Sequence, residues 1–186
     1  TRADGDFNPE AGYVRRASYQ RFGSELALLP RPRRLSFIQQ FEFKPFEFSY
    51  YRDDQTGELQ TFSSEIVPLS FTTRSGESFE VAVTRSADRL EEPFELFEDS
   101  EEIPPGEYWD TRWLVELGSF SGRRLSGDVS YLSGGFYAGT RRSWATSGRW
   151  KTSKHLTLRW DYERHRIALA GDRFLVDEVG TRADFA

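Results

Sequence analysis

The chain has 186 residues, 37% of them hydrophobic and 16% aromatic, with a formal net charge of -5; one domain with a sizeable core fits this length, and two do not. Its acidic balance argues against a nucleic-acid backbone as partner. With no cysteine, disulfide frameworks, zinc-thiolate sites and thiol nucleophiles are excluded, and a mean hydropathy of -0.65 with no long apolar run excludes an ordinary membrane helix.

The chain opens on Asp6-Phe7-Asn8-Pro9-Glu10-Ala11-Gly12-Tyr13, where Asn8-Pro9 favours turn initiation and Gly12 permits positive φ. Phe7, Asn8, Pro9 and Gly12 are therefore expected to form a structural turn that feeds a strand. Residues 17–29 read as a strand anchored by Tyr19, Phe22, Leu26 and Leu28, ended by Pro30-Arg31-Pro32. From Leu35 the apolar period is two. Phe37, Phe41 and Phe43 share one parity and Phe46, Phe48 and Tyr50 the other, with Pro45 at the switch. A proline there removes a ladder donor and predicts a bulge that turns both aromatic sets to the same side.

Asp53, Asp54, Gly57 and Glu58 have hairpin-turn composition; they lack the alternating ligands of a full calcium loop. Leu59 to Thr73 returns as a strand, Arg74-Ser75-Gly76-Glu77 turns, and Ser78 to Thr84 alternates again. Residues 88–107 interrupt this pattern with Glu91, Glu92, Glu101 and Glu102 among prolines, and predict a long acidic loop. These carboxylates could serve calcium binding or glycoside hydrolysis, but a solvated loop explains them as well.

Beyond the loop, Trp109, Trp113, Val115 and Leu117 oppose Asp110, Arg112 and Glu116, while Leu156, Leu158, Trp160 and Tyr162 oppose Thr157, Arg159, Asp161 and Glu163. Trp144 and Trp150 bracket a Thr/Gly-rich face. Segments of about ten residues with one apolar and one charged face are the pattern of transmembrane β-strands; a soluble barrel or sandwich with one wet face uses it too. Trp109, Trp113, Trp144, Trp150 and Trp160 are candidates for membrane-interface aromatics. Ser133-Gly134-Gly135 predicts a kink or bulge with Phe136 or Tyr137 covering the gap. Val179 to Phe185 reads as the start of a strand, and both termini as cut from a longer chain.

No catalytic, metal or cofactor constellation emerges. His155 is expected at a strand start and His165 in an exposed turn, without an HExxH, CxxC or GxSxG pattern. Only Lys44, Lys151 and Lys154 are lysine, so 22 of the 25 basic residues are arginine. Arginine forks suit lipopolysaccharide phosphates or a charged lumen, and equally suit ordinary surface ion pairs.

The residues 6–16 segment is similar to the FNPEVGFVRR-like segment of DUF5916-type proteins, in their C-terminal outer-membrane β-barrel region. Residues 88–95 with 103–108 resemble that family's ERLxEPF and IPxGxY segments, and residues 133–140 its GGFYxG segment, in the same order. The resemblance implies an all-β antiparallel meander, a barrel or part of one, in a non-enzymatic outer-membrane domain linked to glycan binding or uptake. The family usually carries a family 9-like carbohydrate-binding domain. It also implies lipid or lipopolysaccharide, glycan and other protein subunits as partners. The expected organisation is one β domain over residues 1–186, with a turn-rich opening (1–34), hairpins (35–87), the acidic loop (88–107) and strongly alternating strands (108–186). Three functions follow for test: a bacterial outer-membrane barrel, a periplasmic membrane-associated β-sheet accessory subunit of a larger assembly, and a carbohydrate-active enzyme.

Overall fold

A computed structural model of the chain describes residues 2–3, 19–93, 95, 102–169 and 172–185. Its strands are β1 (Arg2–Ala3), β2 (Tyr19–Leu28), β3 (Ile38–Asp53), β4 (Leu59–Thr73), β5 (Ser78–Leu90), β6 (Gly106–Gly118), β7 (Leu125–Phe136), β8 (Gly139–Lys151), β9 (Leu156–Leu169) and β10 (Asp172–Phe185). All pair antiparallel with their sequence neighbours in one meander sheet. The all-β meander expected from the alternation is therefore the fold. The sheet is not closed: the row ends at the short β1 beside β2 and at β10.

Several local expectations need correction. β5 continues six residues beyond Thr84, and β6 begins at Gly106, so strand residues occupy both ends of the 88–107 stretch expected as a loop. Asp88 to Leu90 keep the strand because they pair in register with Tyr108 to Gly106. β7 runs through Ser133-Gly134-Gly135 without a register shift against β6 or β8. The glycines serve close approach instead: a Cβ on Gly134 would run into the Thr111 carbonyl, and one on Gly135 would lie 2.5 Å from Asp110 Oδ1. Val179 to Phe185 is the second half of β10. Phe37 precedes β3 in a turn, so the aromatic row of that strand starts at Phe41.

The bulge predicted at Pro45 is present. Leu26 and Leu28 on β2 pair with Phe46 and Phe43, so Lys44 and Pro45 of β3 together oppose Ala27 of β2, and Phe43 and Phe46 share a face despite opposite parity. β4 does the same at Pro68, where Ile66 pairs with Val83 and Leu69 with Val81. Lys44 and Val67, the residues before the two prolines, are themselves partners across β3 and β4. Each missing ladder donor thus falls where the other strand is also irregular, so the two proline bulges coincide across β3 and β4.

Carrying the register across the sheet assigns each side chain to one of two faces. The first holds Phe22, Leu26, Phe48, Ile66, Leu69, Trp113, Val129, Trp144, Leu175 and Val179; every large apolar strand residue that is exposed falls on it. The second holds every buried polar residue: Ser86, Asp110, Ser126, Ser143 and His165. Among the described strand residues the exposed large apolar side chains thus lie opposite the buried polar ones, which share their face with the buried Val67, Ala82, Ile167 and Leu169.

Candidate functional site

The apolar face is continuous from β2 to β10. Aromatic rings meet across the strands: Phe41 and Phe71 at 6.1 Å, Phe71 and Phe79 at 5.4 Å, Phe62 and Trp109 at 5.5 Å, Tyr131 and Trp144 at 4.4 Å between centroids. Such pairs stabilise a sheet beyond their buried area. Ala87 is directly opposite both Phe62 and Trp109 and is covered completely by them, which explains a small residue at that point.

All five tryptophans lie on this face, with exposures between 36% and 54%. Trp109 and Trp150 stand near strand ends; Trp113 and Trp144 are in the middle of β6 and β8. Toward the end of β8 and β9 that joins the 137–138 turn side, the apolar row gives way to Arg142, Arg164 and Arg166, continued by Arg173 on β10. Arg85 makes the same change on β5, stacking its guanidinium 5.0 Å from the Trp109 ring.

The polar face carries two built networks. In the first, Lys44 lies 3.5 Å from Glu47 and 3.9 Å from both Glu25 and Glu65. One ammonium thus serves three carboxylates on three strands. In the second, His165 Nδ1 lies 2.8 Å from Ser143 Oγ and 3.2 Å from an Arg141 Nη2, while Nε2 is 3.2 Å from Glu163 Oε2. Arg141 has only donors, so Nδ1 accepts and Nε2–H faces Glu163. The expected exposed turn for His165 is therefore corrected: it is a buried mid-strand residue opposite Ser143. His155 stands immediately before β9, as expected for a strand start. The order Glu, His, Ser superficially suits nucleophilic catalysis. Ser143 Oγ is nevertheless buried, and Nδ1 already accepts from the Arg141 guanidinium.

At one end of the polar face, the segments at 88–90, 103–108 and 133–140 converge. Ile103 is buried with Ile167 and Leu169, and Leu90, Tyr108, Phe136, Tyr137 and Phe174 pack around them. The Tyr108 hydroxyl donates to the Pro104 carbonyl at 2.7 Å, and the Tyr137 N–H donates to Asp110 Oδ2 at 3.1 Å. Tyr137 itself has φ of 51°, the left-handed value that the two-residue connection to β8 requires. Ile103 and Pro104, just before β6, are thereby anchored back onto the polar face.

Of the acidic loop residues, Glu91, Glu92 and Glu102 are exposed, and Glu101 lies outside the described residues. Phe7, Asn8, Pro9 and Gly12 also lie outside them. Asp53, Asp54, Gly57 and Glu58 form a hairpin turn: Asp53 Oδ1 accepts from the N–H groups of Gln55 at 2.8 Å and Thr56 at 2.7 Å, and Gly57 has φ of 73°. Among the described residues no cluster of three or more His, Asp or Glu side chains is placed to hold a metal ion. Among the described residues no helix is long and apolar enough to cross a membrane.

No family model, no curated protein and no solved structure matches the chain.

Proposed function

We propose that the chain forms the wall of a non-enzymatic outer-membrane β-barrel, with the apolar face toward lipid and the polar face toward a lumen. The observation that carries this reading is the inverted burial: the exposed large apolar strand residues share one face and the buried polar ones the other. A water-soluble sheet does the reverse, and a membrane-spanning strand must alternate apolar-out with polar-in. Length agrees. A strand of 13 residues, such as β6, extends about 43 Å, and a tilt of about 45° leaves about 30 Å along the normal, the thickness of a bilayer's hydrocarbon core. The DUF5916-type resemblance implies the same placement and is the sole support for a link to glycan binding or uptake.

The test is extraction and folding. The chain is expected to stay dispersed only in detergent, to migrate differently on a gel before and after boiling, and to show tryptophan quenching by bromine-labelled acyl chains. A monomer soluble without detergent overturns the reading.

The open edges favour a second reading, in which the chain is a membrane-associated accessory subunit. Unpaired strand edges are not tolerated in hydrocarbon, so β2 and β10 need further strands, from the same polypeptide or from another protein. Co-purification of a partner that protects β10 from proteolysis supports the subunit reading; a stable lone protein counts against it. The exposed carboxylates Glu91, Glu92 and Glu102 leave carbohydrate cleavage as the weakest reading, which unchanged turnover in their Gln variants would remove.

A further inference from the structure

The apolar face carries an excess of positive charge on β8 to β10. Its charged residues there are Arg142, Arg164, Arg166 and Arg173, against a single acid, Asp177. Asp177 is committed: Arg164 Nε and Nη2 donate to its two oxygens at 2.7 and 3.2 Å, and the Tyr162 hydroxyl donates at 2.8 Å, with Arg166 close enough to act on it through space. Three guanidinium groups therefore share this area without a hydrogen-bonded carboxylate among the described residues. Two of them, Arg142 and Arg166, are direct cross-strand partners. Like charges in that relation destabilise a sheet.

The three arginines line one groove of about 520 Å³ together with Thr140, Ala168 and Leu175. Along β10 the groove continues into Leu175 and Val179, both exposed. A ligand that suits it has a compact anionic head and an apolar tail running along the sheet.

We infer that Arg142, Arg166 and Arg173 form a binding site for the phosphate of a phosphorylated membrane lipid, whose acyl chain lies against Leu175 and Val179. The inference rests on the barrel reading above, because it needs this face in the bilayer. Guanidinium forks match phosphate oxygens in pairs, and one phosphate removes the repulsion between Arg142 and Arg166. A zwitterionic headgroup, whose ammonium cancels its phosphate, leaves the net positive charge of the three arginines in place. The arginines also fit only at headgroup depth, since charge on a lipid-facing strand is costly at the bilayer midplane and nearly free at its interface. That depth is where a lipid carries its phosphate.

The full chain in detergent, mixed with equal amounts of phosphatidic acid and phosphatidylcholine and read by native mass spectrometry, tests the site. Wild type is expected to retain phosphatidic acid at least about tenfold over phosphatidylcholine, as charge-assisted paired hydrogen bonds imply. The combined Arg142→Gln, Arg166→Gln, Arg173→Gln variant should lose that preference, the corresponding triple Lys variant should keep part of it, and Arg182→Gln on the opposite face should keep all of it. Equal retention of both lipids by wild type overturns the inference, as does an undiminished preference in the triple Gln variant. Displacement of the lipid by millimolar inorganic phosphate also overturns it, because the site would then take free phosphate. Gel migration before and after boiling, run on the same samples, separates the two failures: lost lipid preference in a heat-modifiable protein sinks the site alone, whereas a wild type that needs no detergent sinks the barrel reading.

Discussion

The two halves of the sheet solve the same problem with different residues. From β2 to β5 the ladders are broken at Leu26/Leu28, at several points between β3 and β4, and at Ile66/Leu69. From β5 to β10 no register shift occurs at all. The first half contains both strand prolines, Pro45 and Pro68. In the second half the strands contain no proline and many glycines, several at points where a neighbouring strand comes close. Proline inserts a residue and resets which side chains face out; glycine lets the ladder continue unbroken where backbones crowd. Both devices keep the apolar row on one face, so the face is what the sequence conserves across the two halves of its own length.

Substituting the glycine device should do the most damage. Gly134→Val would drive a side chain into the Thr111 carbonyl and to 2.6 Å from the Arg112 Cα, in backbone that cannot yield without breaking the β6–β7 ladder. A loss of about 3 kcal/mol is expected, the upper range for overpacking. In the first half, a Cβ on Gly23 would approach the Phe48 carbonyl only to 3.0 Å, and Gly23→Ala should stay within about 1 kcal/mol of wild type. Urea midpoints of the two variants in micelles, compared at equal slope, measure the contrast; equal losses would break it.

The polar networks give the next contrast. In the regular half, His165→Ala leaves the buried Ser143 hydroxyl and Arg141 without their shared partner, and should cost about 2 kcal/mol. Adding Ser143→Ala should cost about 1 kcal/mol more, because Arg141 Nε then also loses the Ser143 hydroxyl to which it donates at 2.9 Å. In the bulged half, Lys44→Gln leaves Glu25, Glu47 and Glu65 facing one another across β2, β3 and β4. Here the side chains keep access to water, so about 1 kcal/mol is expected at neutral pH. If His165→Ala cost less than Lys44→Gln, the ordering by burial would be wrong.

Much of this architecture was legible in the residues. Period-two alternation located the strands because one face of each is apolar, and Pro45 announced its bulge because the Phe parity changes across it. Pro68 carries the same switch, with Phe62 and Ile66 before it and Leu69 and Phe71 on the other parity after it, but Val67 beside Ile66 masks it until β4 is paired with β5. The His165 network was hidden for the same reason. Its members come from β8 and β9 and meet through register, which spacing along one strand does not encode. The arginine groove was hidden too, since Arg142 and Arg166 are 24 positions apart and become neighbours only across the ladder. The acidic run was read as longer than it is because Asp88 and Arg89 look like loop residues, while their pairing with Tyr108 and Glu107 holds them in strands.

The smallest effect should come from a turn that joins the two halves. Glu77, between β4 and β5, accepts from the Ser75 and Thr73 hydroxyls and is bridged by Arg123 from the β6–β7 connection. The Ser75 and Thr73 hydrogen bonds, in that order, hold its carboxyl down to about 2 from an ordinary 4.5. Since the folded value lies below the unfolded one, the folded state binds fewer protons there, and its contribution is complete above about pH 4.5 and lost as pH falls toward 2. The Glu77 side chain keeps 32% of its surface in water, which screens the interaction, so at neutral pH the Glu77→Gln variant should be nearly as stable as wild type. Urea midpoints taken from pH 6 to pH 2 should run parallel for the two proteins above pH 5 and converge below 4.5. A constant gap down to pH 2 would mean that the Arg123 bridge does not depend on the carboxylate's charge, and that the bulged and regular halves are joined at this end by packing alone.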